Sequence, residues 1–221
     1  VRPLLQQLLE AAEALRQAGR GRLRINVLPS FAARWLLPRL GDFFLRHPDI
    51  EVEVAATQAV VDLHAAGAHL AIRTGRGQWA GVRSELLFEE DLFPVASPAY
   101  LREHGIAALA DLGRATLLRD DDNDWDAWLH ASALEPMPAS FGAVYRDSAL
   151  VLQAAESGQG VALARSWLAR DALRTGQLRR IGELAIPSPA SYFLITPRDA
   201  ADNPEVGEFV AWIRGCAATP A

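Results

Sequence analysis

Apolar and polar positions along this chain follow two alternating rhythms, one with the period of a helix and one with the period of a strand. In residues 3–18, Leu4, Leu5, Leu8, Leu9, Ala12 and Leu15 recur at spacings of three and four. Gln6, Gln7, Glu10 and Glu13 lie between them and Gly19 follows, which predicts a helix with one apolar stripe, folded onto its own domain or paired with a partner helix. Leu23, Ile25 and Val27 then alternate with Arg24 and Asn26, a strand over residues 23–28 that Pro29 ends. Ser30 is the expected N-cap of the next helix, with Leu36, Leu40, Phe43 and Phe44 facing inward and Arg34, Arg39 and Arg46 facing solvent. Pro38 conflicts with that helix, because an interior proline costs about 3 kcal/mol, so a kink or restart is expected there.

Further along, residues 50–55 read as a strand, 60–66 as a short helix, 70–73 as a strand and 74–77 as a turn. Residues 86–96 read as one long strand, broken by Ser97 and Pro98 before a helix that begins at Ala99. The second half repeats the grammar, with strands at 115–118, 141–145, 161–164 and 178–181 and helices at 125–133, 148–156 and 167–173. Residues 192–196 are apolar and extended, and the closing helix at 205–217 turns Val206, Phe209, Val210, Ile213 and Ala217 inward. Strand alternating with helix predicts an α/β fold whose ligands bind beyond the C-terminal ends of parallel strands. The expected organisation is a linker or dimerisation helix at 1–20, lobe I from 21–97 and 197–221, and lobe II from 98–196. The two crossings are expected at Ser97-Pro98 and at residues 192–196, giving a cleft that opens and closes.

Composition narrows the function classes. At 221 residues the chain has room for two lobes, and no apolar run is long enough to span a membrane. A net charge of −5 argues against this segment gripping nucleic acid by itself. Cys216 is the only cysteine, so no intrachain disulfide or thiolate metal cluster is possible, which fits a reducing cytoplasm. The five histidines show no metal-ligand spacing, and Asp120-Asp121-Asp122 with Asp124 lacks the glycine and distal glutamate of a calcium loop. There is no nucleophile elbow, Walker loop or dinucleotide fingerprint, so no enzyme activity, cofactor or metal is expected.

The motifs, in order, are Gly21-Arg22-Leu23-Arg24-Ile25, Pro29-Ser30-Phe31, Phe44-Leu45-Arg46-His47-Pro48, Leu70-Ala71-Ile72-Arg73, Phe93-Pro94-Val95-Ala96-Ser97-Pro98, Asp147-Ser148 and Gly158-Gln159-Gly160-Val161-Ala162-Leu163. Together they resemble the effector-binding domain of LysR-type transcriptional regulators. Asp124-Trp125-Asp126-Ala127-Trp128 and Phe88-Glu89-Glu90 look closest to the GcvA/AmpR-like subgroup. The resemblance implies a two-lobed fold of the type II periplasmic-binding-protein kind, preceded by a linker helix. It also implies DNA binding only through an N-terminal winged helix-turn-helix absent from this chain, and a homodimer or homotetramer. His69 stands where family members commonly have Asp.

Ser30 and Ser148, each at a helix start on opposite lobes, are the first candidates to hold a small, anionic effector, since helix starts present unpaired N–H groups without needing a basic side chain. Ser30 either touches the ligand or only caps its helix, and Asp147 is expected to cap the helix of Ser148. Thr74 lies at a strand end beside Gly75, as a ligand contact or a turn residue. Ser97 and Tyr192 sit on the expected crossings, and the subgroup resemblance favours Tyr192. Phe31 either walls the pocket or belongs to the core. Asp62 matches a position that the resemblance associates with signalling, and a capping or solvated acid is the other reading. The rival function is a solute-binding receptor of a transport system on the same fold.

Overall fold

The computed structural model describes residues 21–59, 63–120, 125–134, 140–198 and 203–218. The helix expected at 3–18, Asp62 and most of the acidic loop after Asp120 lie outside the described residues. The first sheet is built from β1 (Gly21–Val27), β2 (Ile50–Ala56), β3 (Leu70–Gly75), β4 (Val82–Phe88) and β11 (Ser191–Pro197), in the order β2-β1-β3-β11-β4. β1 runs parallel to β2 and β3, whereas β11 is antiparallel to both of its neighbours. The second sheet holds β5 (Asp91–Ala96), β6 (Thr116–Asp120), β7 (Ser140–Tyr145), β8 (Val161–Arg165) and β10 (Ile186–Pro187), in the order β10-β5-β8-β6-β7. The short β9 (Arg179–Arg180) pairs with β5.

The long strand expected at 86–96 is two strands, one in each sheet, and the chain changes sheet at Glu89 and Glu90 rather than at Ser97. The apolar runs on either side of Glu89-Glu90-Asp91 read as one strand, because a buried strand looks the same in either sheet. The return passes through residues 188–190, and β11, expected as that crossing, is an interior strand of the first sheet. The two crossings touch, Ser188 N–H donating to Glu90 C=O at 2.9 Å. Residues 63–66, expected as the end of a short helix over 60–66, form a turn. His69 clasps β1 to β3, its N–H donating to Arg24 C=O at 2.8 Å and its Nδ1 accepting from Arg24 N–H at 3.0 Å.

After β1 the chain enters α1, residues 29–46, made of Pro29–Phe31, a π-helical Ala32–Leu36 and α-helical Leu37–Arg46. The widened turn precedes Pro38. Leu37 N–H reaches back five residues to Ala32 C=O, so the backbone has already left the α register where the proline ring would clash. Leu36, Leu40 and Phe43 are buried as expected, but Phe44 is 42% exposed, because neighbouring helical residues point about 100° apart and Phe43 takes the inward place. Arg34 and Arg39 do not simply face solvent. Arg34 makes a forked ion pair with Glu156 (2.5 and 3.2 Å) on α4 (Ser148–Glu156), and Arg39 binds Asp171 at 2.9 Å on α5 (Ser166–Arg174). Both acids belong to helices that pack on the second sheet, so α1 is tied to the other lobe.

One apolar cluster continues from β1, α1 and β11 into α4, β8 and α5. Phe31 and Trp35 stack at 5.0 Å and are wholly buried, as is Val161 in the smaller cluster beneath the second sheet. Burial of side chains of this size contributes roughly 1.5–3 kcal/mol each. The closing helix α6 (Pro204–Ala218) packs on the first sheet through Val206, Phe209 and Ile213, joined by Trp212, which donates to Asp42 Oδ2 at 3.0 Å. Among the described residues no helix is long and apolar enough to cross a membrane.

Candidate functional site

The C-terminal ends of β1, β3 and β6, with the starts of α1 and α4, surround a polar cleft of about 330 Å³ between the sheets. Leu28, Pro29, Ser30, Gln58, Arg73, Thr74 and Trp79 form one wall; Asp120, Arg146, Asp147 and Ser148 form the other. Parallel strands end there because their connections must climb back over the sheet, leaving strand termini and helix starts facing the opening. Ser30, Thr74 and Ser148 therefore converge on one cavity from separate elements.

Ser30 is not the N-cap. Leu28 holds that position without a side-chain cap and Pro29 is the first helical residue, a place that suits its fixed φ and missing N–H. Ser30 is then the second helical residue, nearly buried, with its N–H among the helix's unclaimed first donors. Asp147 does cap α4, Oδ1 accepting from Ala149 N–H at 2.8 Å, and Ser148 Oγ donates to Asp120 Oδ2 at 2.7 Å. Thr74 lies within β3 rather than in a turn, paired in register with Tyr192. The space beside Gly75 is taken by the Trp79 ring, against which any Cβ would collide at 2.8 Å.

The other candidates lie elsewhere. Phe31 and Tyr192 are in the core, their rings 5.2 Å apart, and reach the cleft only through Ser30 and Thr74, their neighbours in chain and register. Ser97 is buried and caps α2 (Pro98–Glu103), its Oγ accepting from Tyr100 N–H at 3.3 Å. Its predicted place on a crossing fails because the chain has already entered the second sheet at Glu90.

The basic residue that the sequence reading did without is Arg73. The residue is only 8% exposed and lines the cleft, its guanidinium donating to Asn26 Oδ1, to Ala59 C=O at 3.1 Å and to Ile72 C=O at 3.2 Å. All three acceptors are neutral, and no carboxylate of the described residues pairs with it. Burial alone pushes its pKa down, although it stays a cation. Such a charge costs on the order of several kcal/mol to bury. A visible signal existed in the sequence, a lone Arg closing the apolar run Leu70-Ala71-Ile72 at the ligand end of an inner strand.

Behind the cleft, Arg165 donates to Glu90 Oε1 at 2.6 Å and to Ser188 Oγ at 3.0 Å, joining both crossings in the interior. Burial pushes the Glu90 carboxyl up to about 7 against the pull of Arg165. Burial works against the charge of the Arg165 guanidinium, but the nearby acids Glu90 and Asp120 outweigh it and hold its pKa above the ordinary value. Asp120 thus belongs both to the cleft wall and to the field around the crossings. A wider groove of about 950 Å³ runs past Arg39, Phe93, Trp167 and Arg174. Within it Asp171 lies between Arg39 (2.9 Å) and Arg174 (3.8 Å), and Trp167 is stacked on Phe88. Among the described residues no group of three acids, histidines or cysteines could hold a metal ion.

Two α/β lobes joined by two short crossings around a polar cleft define a domain that binds a small molecule. The chain belongs to the LysR substrate binding domain family, whose model matches residues 16–217. It is 35% identical over 221 residues to the glycine cleavage system transcriptional activator of Escherichia coli K12, covering 99% of this chain and 72% of that protein. Among solved structures, the effector domain of the transcriptional regulator AmpR of Pseudomonas aeruginosa superposes with a TM-score of 0.75 at 32% identity, covering 89% of this chain and 96% of that one. The AmpR effector-binding domain from Citrobacter freundii gives the same TM-score at 26% identity, covering 90% and 98%. The protein is therefore the effector-binding part of a LysR-type transcriptional regulator, and the transport-receptor reading is not favoured.

Proposed function

We propose that a small metabolite with a negatively charged group binds between the lobes, touching Ser30 and Thr74 on one wall and Ser148 on the other, and that binding is read out without chemistry. The observation that carries this is the convergence of the three hydroxyls on one cleft, each from a different element. A ligand held from both walls favours one lobe arrangement by its differential affinity, and only that difference shifts the equilibrium. The shift passes to DNA through an N-terminal winged helix-turn-helix outside this chain, in the cytoplasm, with Asp62 as a signalling candidate. A homodimer or homotetramer would cover Leu37 and Leu45 on α1 and Phe141 and Val144 on the edge strand β7, which are exposed apolar side chains. Thermal-shift screening of amino acids and cell-wall fragments tests the site. A ligand that stabilises the wild type should stabilise Ser30→Ala and Ser148→Ala less, and equal stabilisation of both variants would place the site elsewhere.

A further inference from the structure

We infer that the effector is a zwitterion of the α-amino-acid type, its carboxylate held by Arg73 and its ammonium group by Asp120 and Asp147 across the cleft. This rests on the cleft being the effector site. Among the described residues, the wall formed by the first sheet carries one charge, the Arg73 guanidinium, which makes three hydrogen bonds to neutral oxygens out of five available N–H donors. A carboxylate is the group that answers a buried guanidinium both in charge and in its planar, two-pronged geometry. The opposite wall carries Asp120 and Asp147 against Arg146 and is negative on balance. From the start of α4, Ser148 Oγ donates to Asp120 at 2.7 Å and Ala149 N–H donates to Asp147 at 2.8 Å, which fixes both carboxylates on that wall.

Other ligand classes fit this distribution less well. A dicarboxylate or phosphate filling the cleft would set its second negative charge against Asp120 and Asp147. A simple amine would leave Arg73 without an anion, and an uncharged molecule would leave both walls unanswered. A volume of about 330 Å³ is at the small end of ligand pockets, so the zwitterion is a single amino acid.

The test titrates the purified domain with glycine and the common L-amino acids, each beside its carboxamide and its decarboxylated amine, by thermal shift and then calorimetry. At least one amino acid should bind saturably, with the amide and the amine each weaker by about tenfold or more, the loss expected for one charge-assisted hydrogen-bond pair. Arg73→Gln, which keeps a donor for Asn26, should weaken the same ligand by a similar factor. If that variant does not fold by circular dichroism, the acid-against-amide comparison on the wild type decides alone. Failure of every amino acid, or a ligand that needs Ser148 but ignores Arg73, overturns the zwitterion while leaving the cleft in place. A ligand indifferent to Ser30, Ser148 and Arg73 alike overturns the cleft as well.

Discussion

Glu90 sits at the first crossing with its side chain fully buried, 2.6 Å from Arg165, beside Asp91 and in reach of the return crossing through Ser188. Its ordinary value of 4.5 is raised to about 7 by burial, so between those values the folded protein keeps a proton that the unfolded chain has lost. The stability this contributes is present in full below about 4.5 and is lost as pH rises through about 7. Glu90→Gln removes that titration, and its amide oxygen still accepts from Arg165. The melting point of the variant relative to wild type should rise from pH 5 to pH 7.5, by the equivalent of about 1 kcal/mol or more. A difference that stays flat across that range would show that Glu90 is already ionised throughout. At this scale the sequence exposed the hydroxyls of the cleft but not its charges. Ser30, Thr74 and Ser148 follow from local punctuation, where helices start and strands end. Arg73 and Asp120 matter because elements far apart in sequence bury them against one cavity, and one-dimensional spacing does not encode burial. Tyr192 and Ser97 were misplaced for the same reason, since their positions depend on where the chain changes sheet.

Among the elements, α1 does the most to join the lobes. At the π segment Ala32–Leu36, the Trp35 carbonyl accepts from Arg39 Nη1 at 2.9 Å while the same guanidinium reaches Asp171. One turn earlier, Arg34 forks onto Glu156 and also donates to Ala149 C=O at 3.1 Å. Partly buried, two-pronged pairs exceed ordinary surface ion pairs, so a double-mutant cycle of Arg34→Met and Glu156→Gln in urea should give a coupling of about 1 kcal/mol. Coupling near zero would mean that α1 and α4 are neighbours without being tied. The helix and its break were legible, because Pro38 announces itself. Its partners were not, since an arginine that faces away from its own sheet looks solvent-exposed until the second lobe is placed against it.

For the whole molecule, the alternation of strand and helix was enough to indicate two α/β lobes and a returning C-terminal helix. The sheet assignment of β5 and β11 escaped it, because a buried strand reads the same in either sheet and only the acidic pair Glu89-Glu90 marks the change. Both crossings are short, hydrogen-bonded to each other and bolted by Arg165, so a hinge between the lobes would fall at residues 89–90 and 188–190, with the cleft in front of it. The effector is expected to bridge that cleft. Hydrogen–deuterium exchange with and without a ligand from the melting screen tests it most directly. Slowed exchange at residues 28–31, 73–75 and 147–149 together, on both walls, is the predicted result. Protection confined to one wall, or to the groove of Trp167 and Arg174, would contradict it.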